Sequence, residues 1–382
     1  MSGRLLRLVC TTALAAQALL APGVAVAAPE PPAPGGRSPA ALLTDLQKLY
    51  REAEQATEAY NATEERLTER RAEAARLGAA LTRTRLSLQE SRGAAGRLAR
   101  QQYQNSSALS PYVRLLLARD PQHALDQGHV IDRVARERAR TVGRLEGGER
   151  AADGLARRAR AALDAQLTLT ERKKKARDDV RRRLDGVQAM LASLSTGQLA
   201  AVAAAERAGV AEAQEEITAS GALPADDRPP SAGGERALRY AVEQLGKPYE
   251  WGAEGPASYD CSGLTSVAWA RAGTKIPRTS QEQWAELDRV PLDRLRPGDL
   301  VVYFPEATHV ALYLGEGRVV QAPRTGERVK VTPIAALPVL GAVRPDPAGK
   351  PLRTPYTPPA AETAPRPEQA GPLRRTGPLG RL

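Results

Sequence analysis

Cysteine is almost missing from this chain: there are two in 382 residues. One of them, Cys10, lies in an N-terminal segment that reads as a secretory signal, so the mature chain keeps Cys261 alone and no internal disulfide can form. A lone thiol in an exported protein is either a buried apolar side chain or a reactive group. Histidine is scarce as well, with three residues. His123 and His129 have no cysteine or carboxylate cluster at ligand spacing, so no metal site and no cofactor are expected. Aromatic residues make up only 4% of the chain, too few for one large globular core. After the signal, no stretch is long and apolar enough to span a bilayer. No nucleic-acid motif is present, and Lys173-Lys174-Lys175 reads as a solvated helix face.

What is plentiful is arginine. The formal net charge is +11, which points to an anionic partner; for an exported protein that means wall polymers or a membrane surface sooner than nucleic acid. The length fits roughly two domains.

Residues 1–28 carry the marks of a signal peptide: Arg4 and Arg7, a short apolar run from Leu8 to Leu20, and Ala25-Val26-Ala27 for cleavage. Cys10 lies at the beginning of the apolar run instead of after it, which argues against a lipoprotein anchor. A Pro/Gly-rich leader, 29–39, is expected to be disordered. From 40 to 220 the pattern is heptad. Leu46, Ala53, Tyr60, Leu67, Ala74, Leu81, Leu88 and Ala95 recur every seventh residue, which predicts a long coiled-coil helix. A break around 105–130, with Ser110-Pro111 and Asp120-Pro121, predicts a tip. A second arm, clearest at Val180, Leu184, Val187, Leu191 and Leu194, is expected to run to about Ser220 and close an antiparallel hairpin. A linker (221–234) should lead to a compact domain (235–345) of helices followed by strands, an α+β pattern with an antiparallel sheet. A basic, Pro-rich tail (346–382) is expected to be disordered.

Within the compact domain, Asp260 is a candidate N-cap and Cys261 opens an apolar-periodic run ending at Gly273. A thiol at a helix N-terminus meets unpaired N–H groups and the positive end of the helix dipole, which predicts a lowered pKa. The domain contains a single histidine, His309, at the start of a predicted strand, a candidate base. With a three-residue loop at Gly315-Glu316-Gly317, Leu314 pairs with Arg318 and Ala311 with Gln321. Gln321 then shares a face with His309 and can orient its ring; a two-residue loop would turn Gln321 away.

The motifs Pro248-Tyr249-x-Trp251-Gly252, Asp260-Cys261-Ser262-Gly263-Leu264, Pro277-Arg278-Thr279-Ser280, Pro297-Gly298-Asp299-Leu300, His309-Val310-x-x-Tyr313-x-Gly315 and Ala322-Pro323, in that order, resemble the NlpC-type papain-like cell-wall cysteine peptidases. The resemblance covers about 235–345. It implies a helix bearing the cysteine packed on a sheet bearing the histidine, and hydrolysis of the peptidoglycan stem peptide between γ-D-glutamyl and a diamino acid. By the same resemblance Cys261 is the nucleophile, His309 the base, and Tyr249 a neighbour that assists at the oxyanion. Asp260 and Ser262 are placed to bind the substrate's free amine, Asp260 equally as a simple cap. Gln321 stands where the family most often has a histidine. The helical arms resemble regions that either dock on a membrane division complex or fold back over the active site; the second arrangement predicts that a chain beginning near Ser231 digests wall faster. The site is expected to be secreted, at the cell wall. The rival readings are a non-catalytic wall-binding or division scaffold and a papain-like acyl or amide transferase.

Overall fold

The computed structural model describes residues 37–105, 113, 120–224 and 228–353. The signal, most of the leader, half of the expected tip and the tail beyond 353 lie outside these residues.

Helix α1 (Pro39–Asn105) and helix α2 (Pro121–Ser193) are 67 and 73 residues long. Their cross-contacts run in opposite senses: Glu52 with Arg183, Glu64 with Lys173, and Arg92 with Glu149. The pair is therefore antiparallel. The heptad positions supply the seam, with Leu46, Ala53, Leu67 and Leu88 of α1 and Val180 and Val187 of α2 buried. The second arm does not continue straight to Ser220. It stops at Ser193, and a new helix α3 (Thr196–Ala219) departs at 115°. The local cause is a capping box: Ser195 accepts from the Gln198 N–H, and the Gln198 side chain returns to the Ser195 N–H. That pair satisfies helix-end donors and starts a helix in a new direction. The corner is held by Leu42, Leu46, Val187 and Val202, one apolar cluster drawn from all three helices.

The expected linker ends early, because Ser231 is the N-cap of α4 (Ala232–Glu243) and accepts from the Gly234 N–H. Helices α5 (Cys261–Arg271) and α6 (Ser280–Glu286) follow. The strands are β1 (Asp288–Val290), β2 (Leu300–Tyr303), β3 (His309–Gly315), β4 (Arg318–Gln321), β5 (Lys330–Pro333) and β6 (Val339–Arg344). They form one antiparallel sheet in the order β1-β6-β2-β3-β4-β5. This is the predicted architecture, a helical hairpin followed by an α+β papain-like domain; β1 alone had not been expected.

Every residue of β2 and β3 is buried, which requires cover on both faces of the sheet. Leu300, Val302, Val310, Leu312 and Val320 pack with Leu264 and Trp269 of α5 and with Leu238 of α4. Val301, Tyr303, Ala311, Tyr313 and Val319 form the opposite core, against which Ile217 of α3 and Leu223 pack. Full burial of such side chains contributes about 1.5–3 kcal/mol each. The end of α3 thus does what a second helical layer does in other α+β domains. Gln214 of α3 accepts the Ala335 N–H at 3.1 Å, and Glu206 pairs with Arg324 at 2.9 Å.

Candidate active site

Asp260 is the N-cap of α5, as its sequence position predicts, accepting the Gly263 N–H at 2.6 Å. Cys261 is therefore the first residue of the helix. Gly263 is required by proximity: a Cβ there would lie 2.3 Å from the Ala253 carbonyl oxygen. The backbone N–H of Val310, at the start of β3, lies close enough to the sulfur to favour its thiolate.

His309 opens β3 and is fully buried, its ring centroid 5.7 Å from that of Tyr303. Its Nε2 is 2.6 Å from Gln321 Oε1. Gln321 in turn donates from Nε2 to the Thr332 hydroxyl at 2.6 Å, which fixes the amide with its oxygen toward the imidazole. The expected pairing of Leu314 with Arg318 is not formed. Gly315 pairs with Arg318 across a two-residue turn, Glu316-Gly317, in which both residues have positive φ (52° and 64°). A bulge between Tyr313 and Gly315 absorbs one residue, and Leu312 pairs with Val320. Continuing that register sets Ala311 against Gln321. The shorter turn and the bulge cancel, and Gln321 keeps the face of His309.

The site is covered by α1. Glu54, Glu58 and Asn61 sit at helical spacing on one face of it, beside the row that packs on α2, and all three are buried. Glu58 accepts from the Ser262 hydroxyl and from the Ser280 N–H, each at 2.9 Å, and its Oε1 is 3.9 Å from the Cys261 sulfur. Asn61 donates to Asp260 at 3.0 Å. Glu54 approaches His309 Nδ1 at 3.5 Å, too long to satisfy that nitrogen, which has no hydrogen-bond partner among the described residues. Glu54 and Glu58 are one helical turn apart, with Cβ atoms about 5–6 Å from each other. Their contacts to the imidazole and the sulfur place those two groups within the same small volume.

Residues 246–338 match the NlpC/P60 family. This segment is an NlpC/P60 domain. A probable endopeptidase of Corynebacterium glutamicum (strain R) is 39% identical over 123 residues, spanning 32% of this chain and 58% of the relative. Peptidoglycan endopeptidase RipA of Mycolicibacterium smegmatis is 38% identical over 114 residues, 26% of this chain and 23% of the relative. Among solved structures, RipD of Mycobacterium tuberculosis, described as a non-catalytic NlpC/p60 domain protein adapted to peptidoglycan binding, is 32% identical; the match covers 29% of this chain and 96% of that one, with a TM-score of 0.27. The chain spans just over half the length of the first two curated relatives, 58% and 56%.

The electrostatics of the covered NlpC/P60 domain reverse one expectation. The Cys261 thiol is not lowered by its helix end. Burial first, then the charges of Glu58, Asp260 and Glu54, push its pKa well above the ordinary value, against the Val310 N–H. Three carboxylates and a dry site outweigh one helix terminus. Glu58 is itself raised from 4.5 to about 7, by burial and by Asp260, against Arg278 and the Ser280 and Ser262 donors. Burial alone would lower His309, but Glu54, Gln321 and Glu58 outweigh it and the net shift is upward. Tyr249 is buried beside them, its hydroxyl raised by burial and by the neighbouring Cys261 and carboxylates.

Asp260 and Ser262 do not stand open for a substrate amine. Asp260 receives Arg278 at 2.8 and 3.1 Å, the Gly252 N–H at 2.9 Å and Asn61, while Ser262 accepts from Arg278 at 2.9 Å. Arg278 was legible as part of a motif but not as the cation that organises this cluster. Ser280 was legible in the same motif, whereas Thr332 and the three α1 residues carry no such signal; polar residues on a long helix read as solvated. What remains open is a cavity of about 260 Å³ lined by Tyr60, Asn61, Lys173, Gly252, Glu254 and Arg278.

Proposed function

We propose that this chain is a secreted cell-wall hydrolase that cleaves the peptidoglycan stem peptide at the bond between γ-D-glutamyl and a diamino acid, using Cys261 as nucleophile and His309 as base. Family membership of 246–338 and the names of its relatives support a wall peptidase. The observation that carries the finer reading is the cradle around Glu58. A carboxylate is held there by the Ser262 hydroxyl and the Ser280 N–H, beside Arg278 and 3.9 Å from the sulfur. A γ-linked glutamyl residue keeps its α-carboxylate free next to the carbonyl that is attacked. The same cradle suits that group, and Asn61, donating to Asp260, stands where a substrate N–H or amine would be received.

With α1 in place the enzyme is off for two reasons. Glu58 occupies the carboxylate position, and burial with three nearby carboxylates holds the sulfur protonated. With α1 withdrawn, water enters, Glu54 and Glu58 leave, and the N-terminus of α5 acts on the thiol without that opposition. The Cys261 thiolate then attacks the γ-carbonyl. Its own backbone N–H, with the Tyr249 hydroxyl, receives the oxyanion. Protonated His309, oriented through Nε2 by Gln321, gives a proton to the leaving amine, and water cleaves the thioester.

Defined muropeptides analysed by product mass test this reading. Cleavage at the γ-D-glutamyl bond, lost in Cys261→Ala and accelerated in a full-length Glu54→Ala, Glu58→Ala, Asn61→Ala variant, is the expected result. No product from either the full chain or that variant would instead make this a binding protein, and acyl groups moved to an added amine would make it a transferase.

A further inference from the structure

Almost all of the net charge sits on one stretch of the helical hairpin. Residues 76–100 of α1 carry six arginines and one acidic residue, and residues 133–160 of α2 carry nine arginines and four acidic residues. The difference, fifteen minus five, is +10, against +11 for the whole chain. Neither segment contains a lysine or an aromatic residue. The two segments lie side by side, as the Arg92–Glu149 ion pair and the packing of Gly148 on Leu88 establish. By contrast, the part of the hairpin nearest the active site is balanced: residues 39–75 carry five basic and eight acidic side chains, and 161–193 carry eight and five.

All fifteen arginines are exposed. Four of them meet a carboxylate, in the pairs with Glu149, Asp132, Glu146 and Asp153. The other eleven have none within 4.0 Å among the described residues. About 25 residues of helix span ~38 Å. Ten uncompensated charges over that length lie within a Debye length of their neighbours, about 8 Å at physiological salt, and repel one another. A bound polyanion would remove that repulsion.

We propose that this stretch docks a linear phosphodiester polymer of the cell envelope, running along the hairpin at a distance from the active site. The exclusive use of arginine favours phosphate, which its planar fork binds through two hydrogen bonds. The arginines are not confined to one face. Arg157, Arg158 and Arg160 point in three directions at ~100° per residue, and Arg138 lies about 160° around the helix from both Arg136 and Arg140. A planar membrane would engage one side of the rod, whereas a flexible polymer can use all of it. The lack of aromatic side chains removes the stacking platforms by which single-stranded nucleic acids are held.

The test uses the full-length protein with purified poly(glycerol phosphate) as probe, measured by calorimetry across a salt series. Saturable binding that weakens steeply with salt is expected, because each neutralised phosphate releases counterions. Replacing Arg83, Arg85, Arg97, Arg138, Arg140 and Arg160 by Gln removes six of the ten net charges and leaves every ion pair named above intact. Affinity near 0.1 M salt should fall by roughly 10²-fold or more, with a shallower salt slope. Helicity by circular dichroism, and cleavage of small soluble muropeptides, should be unchanged. Should that variant fold poorly, the same six positions changed to Lys keep the charge and should keep most of the binding. Equal affinity of the native and Gln proteins, or binding only to phosphatidylglycerol vesicles or to duplex DNA and not to the polymer, would overturn the proposal.

Discussion

Glu58→Gln in the full-length chain is the most informative single change at the covered site. In place, Glu58 titrates at about 7 instead of 4.5. At 1.36 kcal/mol per pH unit, that difference makes closure about 3 kcal/mol less favourable once the carboxyl is ionised. The sign follows from proton counts. Between pH 4.5 and about 7 the closed form holds the proton and the open form does not, so closure weakens as pH rises through this window and the full cost is present above it. Glutamine is neutral throughout. Its oxygen can take the Ser280 N–H and its amide can face the Ser262 hydroxyl, so the variant should stay closed where the native chain opens. The rate of muropeptide release should therefore be similar for the two proteins near pH 5, and up to ~10²-fold slower for the variant near pH 8. Taking the ratio of the two rates cancels the pH dependence of the chemistry. Asp260 and Arg278 face Glu58 from the domain and Glu54 lies on its own helix. The raised pKa of His309, supported by Glu54, adds a slope of the same sign to both proteins. Amide exchange at Ser280, whose N–H is donated to Glu58, reports opening directly. A ratio that stays flat from pH 5 to 8, with Ser280 equally protected at both ends, would refute the idea that α1 is held by a titrating carboxylate.

Two further changes probe how the site is held. Thr332→Val removes the acceptor of the Gln321 amide and frees it to turn its NH2 toward His309; kcat should drop ~10-fold with KM nearly constant, and Thr332→Ser should restore it. Gly263→Ala puts a methyl group 2.3 Å from the Ala253 oxygen, and the first turn of α5 must shift; a loss of about 1–3 kcal/mol is expected, read as a melting temperature lower by several degrees together with loss of cleavage.

Much of this was readable from local pattern. The heptad row from Leu46 to Leu88 foretold α1 because a seven-residue repeat can bury its apolar side only along a partner helix. Asp260 before Cys261 foretold the cap because only a short polar side chain meets the free N–H groups there. The His309–Gln321 pairing was foreseen on the right face although the turn was counted as three residues; the hidden bulge at the end of β3 carried the missing one. The straight second arm was not foreseen correctly, because Ser195 and Gln198 look unremarkable until they close a capping box and turn the chain by 115°.

The sequence by itself determined which groups are candidates for chemistry: one thiol, one histidine in the compact domain and an amide on the neighbouring strand. Their state was decided only by tertiary structure. Glu54, Glu58 and Asn61 lie about 200 residues from Cys261 and Asp260, and no local propensity marks a carboxylate on a polar helix face as one that will be buried against a sulfur. A side chain's ionisation depends on the dielectric and the charges within a few ångströms, and it was the fold that chose those neighbours.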